Sequence, residues 1–177
     1  MNKADKQIKI ITHPYHWFAC YTVSRAEKKA LKQLQDAGIE AYLPLQRRLH
    51  QWKDRKKWVE VPLINSYIFV KITEKDYFNV LNVNGIVRYI FFEGKAATIP
   101  DWQIDTLKLA MASEAETEIT TEKLEAGEPI VVKQGPFIGL RGEMIEYKGN
   151  KKIKIQIEHI GHTLLLTIPA GFVEKII

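Results

Sequence analysis

Pro62-Leu63-Ile64-Asn65-Ser66-Tyr67-Ile68-Phe69-Val70-Lys71-Ile72 decides the fold of this 177-residue chain. From Ser66 to Ile72 the run is rich in aromatic and β-branched residues, the composition of a strand. Side chains alternate along a strand, so Ile68, Val70 and Ile72 share one face and Tyr67, Phe69 and Lys71 the other. A strand buried on one face only would carry polar groups on its second face, and this one carries two aromatics there. Two arrangements satisfy that pattern. Either the fold covers both faces, or one face is an apolar patch that docks another protein. The second fails if Tyr67 and Phe69 are fully buried beneath the chain's own helices.

Upstream, Trp17 to Val23 is a second apolar and aromatic strand. Cys20 sits in its middle and reads as a small buried hydrophobe, since no neighbour would activate a thiolate. Ser24-Arg25-Ala26-Glu27 has the form of a capping box, with the serine accepting from the amide three residues on and the glutamate reaching back. Ala30, Leu31, Leu34 and Ala37 then form one apolar helical face, and Gly38 supplies the stop. Lys28, Lys29 and Lys32 point elsewhere, as a solvated face or a nucleic-acid face. Ile39 to Leu45 returns as a strand with Pro44 near its end. Arg47 to Val61 is predicted to be a hairpin with Lys53-Asp54-Arg55-Lys56-Lys57 at its tip, flanked by Trp52 and Trp58. Basic residues interleaved with aromatics suit a phosphate backbone and exposed bases; a charged hairpin that resists edge pairing is the alternative.

Downstream, Thr73-Glu74-Lys75-Asp76 opens a short helix carrying Tyr77, Phe78 and Leu81, and Asn84-Gly85 marks a turn. Ile86 to Phe92 is a strand, Gly94 turns the chain, and Pro100-Asp101 opens a helix with Ile104, Leu107 and Met111 on one face. This order predicts an α+β domain, an antiparallel sheet flanked by helices, over residues 16–112. Residues 1–15 form a loose leader. Residues 113–126, rich in glutamate and threonine, form an acidic linker, extended or partly helical. Residues 127–177 hold five short strands with alternating patterning and glycine turns, the pattern of a small all-β barrel.

Charge is unevenly distributed within a net of +5. Arg47, Arg48, Lys53, Arg55, Lys56 and Lys57 form a basic region, and Glu114, Glu116, Glu118, Glu122 and Glu125 an acidic one, as separate modules would. The single cysteine, Cys20, excludes an internal disulfide framework. No apolar run approaches membrane-spanning length and the start is not signal-like, so a cytoplasmic, membrane-free monomer is expected. No strained nucleophile turn, phosphate-binding glycine loop or metal spacing is present, which argues against an enzyme and predicts no cofactor or metal.

Taken together, these motifs resemble the NusG family of transcription elongation factors over residues 16–176. The most specific segment is Gly127-Glu128-Pro129-Ile130-Val131-Val132 through Gly135-Pro136-Phe137 to Gly142-Glu143-Met144, similar to the family's KOW motif with Gly142 at its central glycine. Trp17 and Tyr21, Pro44 and Pro62–Val70 carry the N-terminal likeness. The resemblance implies an N-terminal NusG-like α+β domain and a C-terminal KOW (SH3-like) barrel. Within the family, the Pro62–Val70 segment looks more like the specialised paralogue RfaH than housekeeping NusG, which usually has Pro-Gly-Tyr there. Ser24-Arg25-Ala26-Glu27 and the chain length resemble the UpxY-type antiterminators of capsular-polysaccharide operons.

The function so implied is antitermination: binding the clamp coiled coil of bacterial RNA polymerase and suppressing pausing in particular long operons. The polymerase patch falls on Tyr21, Tyr67, Phe69 and Phe92. Lys28, Lys29, Arg47, Arg48, Lys53, Arg55, Lys56 and Lys57 fall where upstream or non-template DNA would be held. On the barrel, the family's Phe-Gly-Arg loop is replaced by Ile160-Gly161-His162, preceded by His159. Loss of both larger anchors speaks against termination factor Rho and leaves coupling to ribosomal protein S10 open. His159 and His162 lack the accompanying ligands of a metal site. RfaH's barrel segment can refold as a helical hairpin; here Lys151–Ile157 and Leu164–Ile168 are β in pattern, so a constitutive barrel is expected. The alternatives are a housekeeping elongation factor and a ribosomal or RNA-binding KOW protein, which would leave the N-terminal aromatic strand unused.

Overall fold

The computed structural model of the chain describes residues 14–157 and 159–176. The expected leader lies outside them except for Pro14 and Tyr15. Strand β1 (His16–Thr22) leads to helix α1 (Glu27–Asp36), then β2 (Glu40–Tyr42), β3 (Leu45–Gln51), β4 (Lys56–Pro62) and β5 (Tyr67–Ile72). A turn of 3-10 helix (Glu74–Asp76) precedes α2 (Tyr77–Leu81), followed by β6 (Ile86–Tyr89), β7 (Phe91–Phe92), β8 (Lys95–Ala96), β9 (Thr98–Ile99) and α3 (Asp101–Ala112). The N-terminal sheet runs β2-β5-β1-β6, with β9 also on β1. Every pairing in it is antiparallel. Strands β3 and β4 leave that sheet as a separate two-stranded ribbon, as the hairpin reading expects.

Strand β5 is central, and both of its faces are covered. Ile68, Val70 and Ile72 join Phe18, Cys20, Leu34, Val80 and Tyr89 in a buried cluster beneath α1 and α2. Tyr67 and Phe69 belong to a second cluster with Trp17, Ile99, and Ile104 and Leu107 of α3. That second cluster continues without a break into the C-terminal domain through Ile130, Val132, Ile153 and Leu164. Cys20 is buried, and desolvation pushes its thiol pKa up, which fits an inert core residue.

Two local readings change. Ser24 does not cap α1: Ala26 holds the N-cap position with no side-chain bond. Instead Glu27, buried, accepts from the Ser66 amide at 2.9 Å. Ser66 has φ +61°, so the carboxylate fixes the left-handed corner that starts β5. The strand expected over Ile86–Phe92 breaks at Ile90, and Phe91–Phe92 pairs instead with Lys95–Ala96 as a small hairpin.

The C-terminal domain consists of β10 (Thr117–Thr120), β11 (Glu128–Val132), β12 (Arg141–Tyr147), β13 (Asn150–Ile157), β14 (His162–Leu166) and β15 (Val173–Lys175), with a 3-10 turn before β15. Their order is β10-β14-β13-β12-β11-β15, all antiparallel, and no α-helix occurs in this domain among the described residues. Five strands were expected. The sixth, β10, comes from the acidic linker and pairs along β14. A Cβ on Gly142 would lie 2.7 Å from Ile153 Cγ2 and 3.0 Å from the Lys154 carbonyl oxygen. Glycine there lets β12 approach β13 closely.

Candidate functional site

The aromatic patch begins with a register. Tyr21 of β1 lies opposite Tyr67 of β5. Their rings are 4.7 Å apart, and the Tyr67 hydroxyl donates to the Tyr21 oxygen at 2.8 Å. Arg88, opposite Tyr21 on β6, lays its guanidinium over the Tyr21 ring at 4.6 Å. Burial pushes the Tyr67 hydroxyl pKa up; the Tyr21 bond adds to this and Arg88 opposes it. The hydrogen bond and the ring contact hold the two tyrosines as one unit.

The barrel lies against this pair. The His162 ring stands 5.0 Å from Tyr67 in an edge contact, and the His159 ring 4.3 Å from Phe92. Gln103 Nε2 of α3 donates to the Gln156 carbonyl oxygen of β13 at 3.1 Å. His162 Nδ1 donates to the Ile160 carbonyl at 2.7 Å, which sets the ring's orientation. Ile160 is buried in the cluster shared by both domains, and Gly161 (φ +66°) turns the loop back into β14. The loop expected to hold a separate partner, His159 to His162, therefore sits on the patch expected to hold the polymerase. Sequence reasoning expected two separate surfaces and did not pair them, and it missed the contacts of Arg88 and Gln103.

Phe69 stands apart from the patch. It is 0% exposed, in the cluster with Ile104 and Leu107 of α3, and stacks with Tyr42 at 6.5 Å. It meets the condition set against a docking residue, because its own domain seals it. Tyr67, 7% exposed, has the barrel's His162 against its ring. Phe92 remains 46% exposed.

The basic residues form two groups. Lys28 and Lys29 are exposed on α1. Arg47, Arg48, Lys53, Arg55, Lys56 and Lys57 are all exposed on the β3–β4 ribbon or its tip, closed by a Trp52 amide bond to the Arg55 carbonyl at 2.8 Å. The register separates its faces. Arg48 and His50 share a face with Lys57, whereas Arg47 and Leu49 share the other with Trp58 and Lys56. Arg47 lies over the Trp58 ring and Arg55 over the Trp52 ring, each at 5.9 Å. Both indoles are exposed, Trp58 at 56% and Trp52 at 40%. Among the described residues, no group of three or more metal-ligating side chains occurs, and no helix is long and apolar enough to cross a membrane.

Comparison with known proteins agrees with the architecture. Residues 15–108 match the family model described as "Transcription termination factor nusG". The transcription termination/antitermination protein NusG of Rickettsia felis is 22% identical over 90% of this chain and 89% of its own length. Its counterpart in Rickettsia conorii is 23% identical, over 99% and 94% respectively. A solved structure titled "Domain interaction in Thermotoga maritima NusG" aligns with a TM-score of 0.54 at 21% identity, covering 92% of this chain and 98% of that one.

Proposed function

The chain belongs to the NusG family, and from that membership we propose that it is a transcription antitermination factor whose polymerase-docking patch is closed by its own barrel. The docking surface is Tyr21, Tyr67 and Phe92, and Phe69, sealed within its own domain, is left out of it. The partner is the clamp coiled coil of bacterial RNA polymerase, and the mechanism is non-enzymatic. A factor that binds the elongating state of polymerase more tightly than the paused state shifts the population toward elongation by that difference.

One observation carries the closed form: two surfaces expected to bind different partners stack on each other, His162 on Tyr67 and His159 on Phe92. Polymerase and barrel then compete for the same rings, and a partner of the barrel loop, with ribosomal protein S10 the candidate, competes from the other side. Docking is reduced by the fraction of chains that are closed. Pro62-Leu63-Ile64-Asn65-Ser66-Tyr67, in place of a Pro-Gly-Tyr, supports the specialised antiterminator over the housekeeping factor. The arginine–tryptophan contacts of the ribbon support DNA beside the polymerase cleft as a further ligand.

Binding of the full chain to purified RNA polymerase tests the reading. Phe92→Ala should weaken binding about tenfold or more, as loss of an aromatic anchor does. His162→Ala and His159→Ala should strengthen it by loosening the barrel. Unchanged binding by Phe92→Ala together with Tyr21→Ala would remove the patch from the interface. Weaker binding by both histidine variants would make the loop part of the polymerase contact rather than its cover.

A further inference from the structure

Strand β10 does not belong to the barrel by composition. Thr117-Glu118-Ile119-Thr120 has one apolar residue, yet it pairs with Leu166 to Thr163 of β14 in register. Its outward carboxylates account for this. Lys152 of β13 is 4% exposed, and its ammonium lies 3.4 Å from Glu116 Oε1 and 3.3 Å from Glu118 Oε2. Lys148 Nζ reaches Glu118 Oε1 at 2.7 Å. Thr167 donates to Glu116 twice, from its hydroxyl to Oε2 and from its amide to the main-chain oxygen, each at 3.0 Å. These bonds hold the Glu118 carboxyl below its ordinary range and the Lys148 ammonium above its own. Removing β10 would leave Lys148 and Lys152 side by side at the β14 edge without these carboxylates. The β14 edge thus selects a strand with carboxylates at alternate positions.

We propose that the β14 edge, with Lys148 and Lys152 beside it, is a binding site for an extended acidic segment of a partner protein, filled in this structure by the chain's own residues 116–120. The mode is strand addition, with main-chain bonds giving affinity and the two lysines giving selectivity. Exchange of one strand for the other has a mechanical consequence. With β10 paired, the tether from Ala112 to Thr117 spans at most ~17 Å; once β10 is released, the tether from Ala112 to Glu128 spans up to ~54 Å. A partner that takes the edge therefore also lengthens the leash on which the barrel is held against the N-terminal domain. Only that consequence rests on the closed form proposed above; the site itself does not.

A fluorescent peptide of residues 114–122, titrated into the full chain, tests the site without polymerase, so its failure and that of the docking proposal are separable. The chain carrying Glu116→Gln and Glu118→Gln, whose own strand is weakened, should bind the peptide saturably and at least tenfold more tightly than the unsubstituted chain. Replacing the peptide's glutamates by glutamine should abolish binding. Adding Lys148→Gln, at an exposed position, should weaken it severalfold. Excess peptide should also speed amide exchange across residues 117–120 of the unsubstituted chain, a readout that needs no variant to fold. Equal binding of the acidic and glutamine peptides would overturn the proposal. So would absence of binding with unchanged exchange.

Discussion

Glu27 shows how one side chain can serve an element far from its own. Three residues after a serine at a helix start, it has the spacing of a capping box, but its carboxylate bonds to the Ser66 amide across 39 positions. Local spacing cannot reveal that partner, because the turn before β5 approaches α1 only when the sheet forms. Glu27→Ala leaves a part-buried amide unpaired at the corner that starts the central strand. It should lower stability by about 1–3 kcal/mol in chemical denaturation, and Glu27→Gln, which keeps an acceptor, by less. No change with Glu27→Ala would return the residue to a surface role. Phe69 and Tyr67 make the same point on one face of β5. Both are buried, but Phe69 packs against α3 while Tyr67 meets the barrel's His162. Sealing Phe69 stabilises the domain by roughly 1.5–3 kcal/mol.

At the scale of elements, the strongly periodic segments were legible. β5, β13 and the hairpin were readable because alternation and turn residues are local signals. β10 was not, because its pairing is stabilised by lysines 30 and 34 positions away. The split after Tyr89 was equally hidden, since Ile90 to Phe92 continues the strand composition, although the Gly94 turn that folds Phe91–Phe92 onto Lys95–Ala96 was read. The ribbon makes its own prediction. Binding of a single-stranded oligonucleotide by the full chain should fall steeply with salt, and Arg55→Ala with Lys57→Ala should lower the salt slope by about 1–2. Trp52→Ala should cost about 1–3 kcal/mol of the affinity at fixed salt, as loss of a stacking platform does. A salt slope unchanged by the basic substitutions would leave the ribbon as a solvated hairpin.

At the scale of the molecule, the N-terminal sheet and the barrel share one apolar cluster, and each covers the surface proposed above to meet the other's partner. The fold class was readable from composition and pattern: a mixed α/β first part and a β-rich end. Contact between the domains was not, because Tyr67, Phe92, His159 and His162 carry no local mark of being paired. The most direct test places one dye at Asn84→Cys on the N-terminal domain and another at Lys151→Cys on the barrel, with Cys20 buried and unreactive. Energy transfer is then followed as purified RNA polymerase is added. The closed-form account predicts high transfer in the free chain and a drop that saturates with polymerase binding. Full binding with transfer unchanged would contradict it, since the barrel would then still lie on the rings that polymerase is proposed to take.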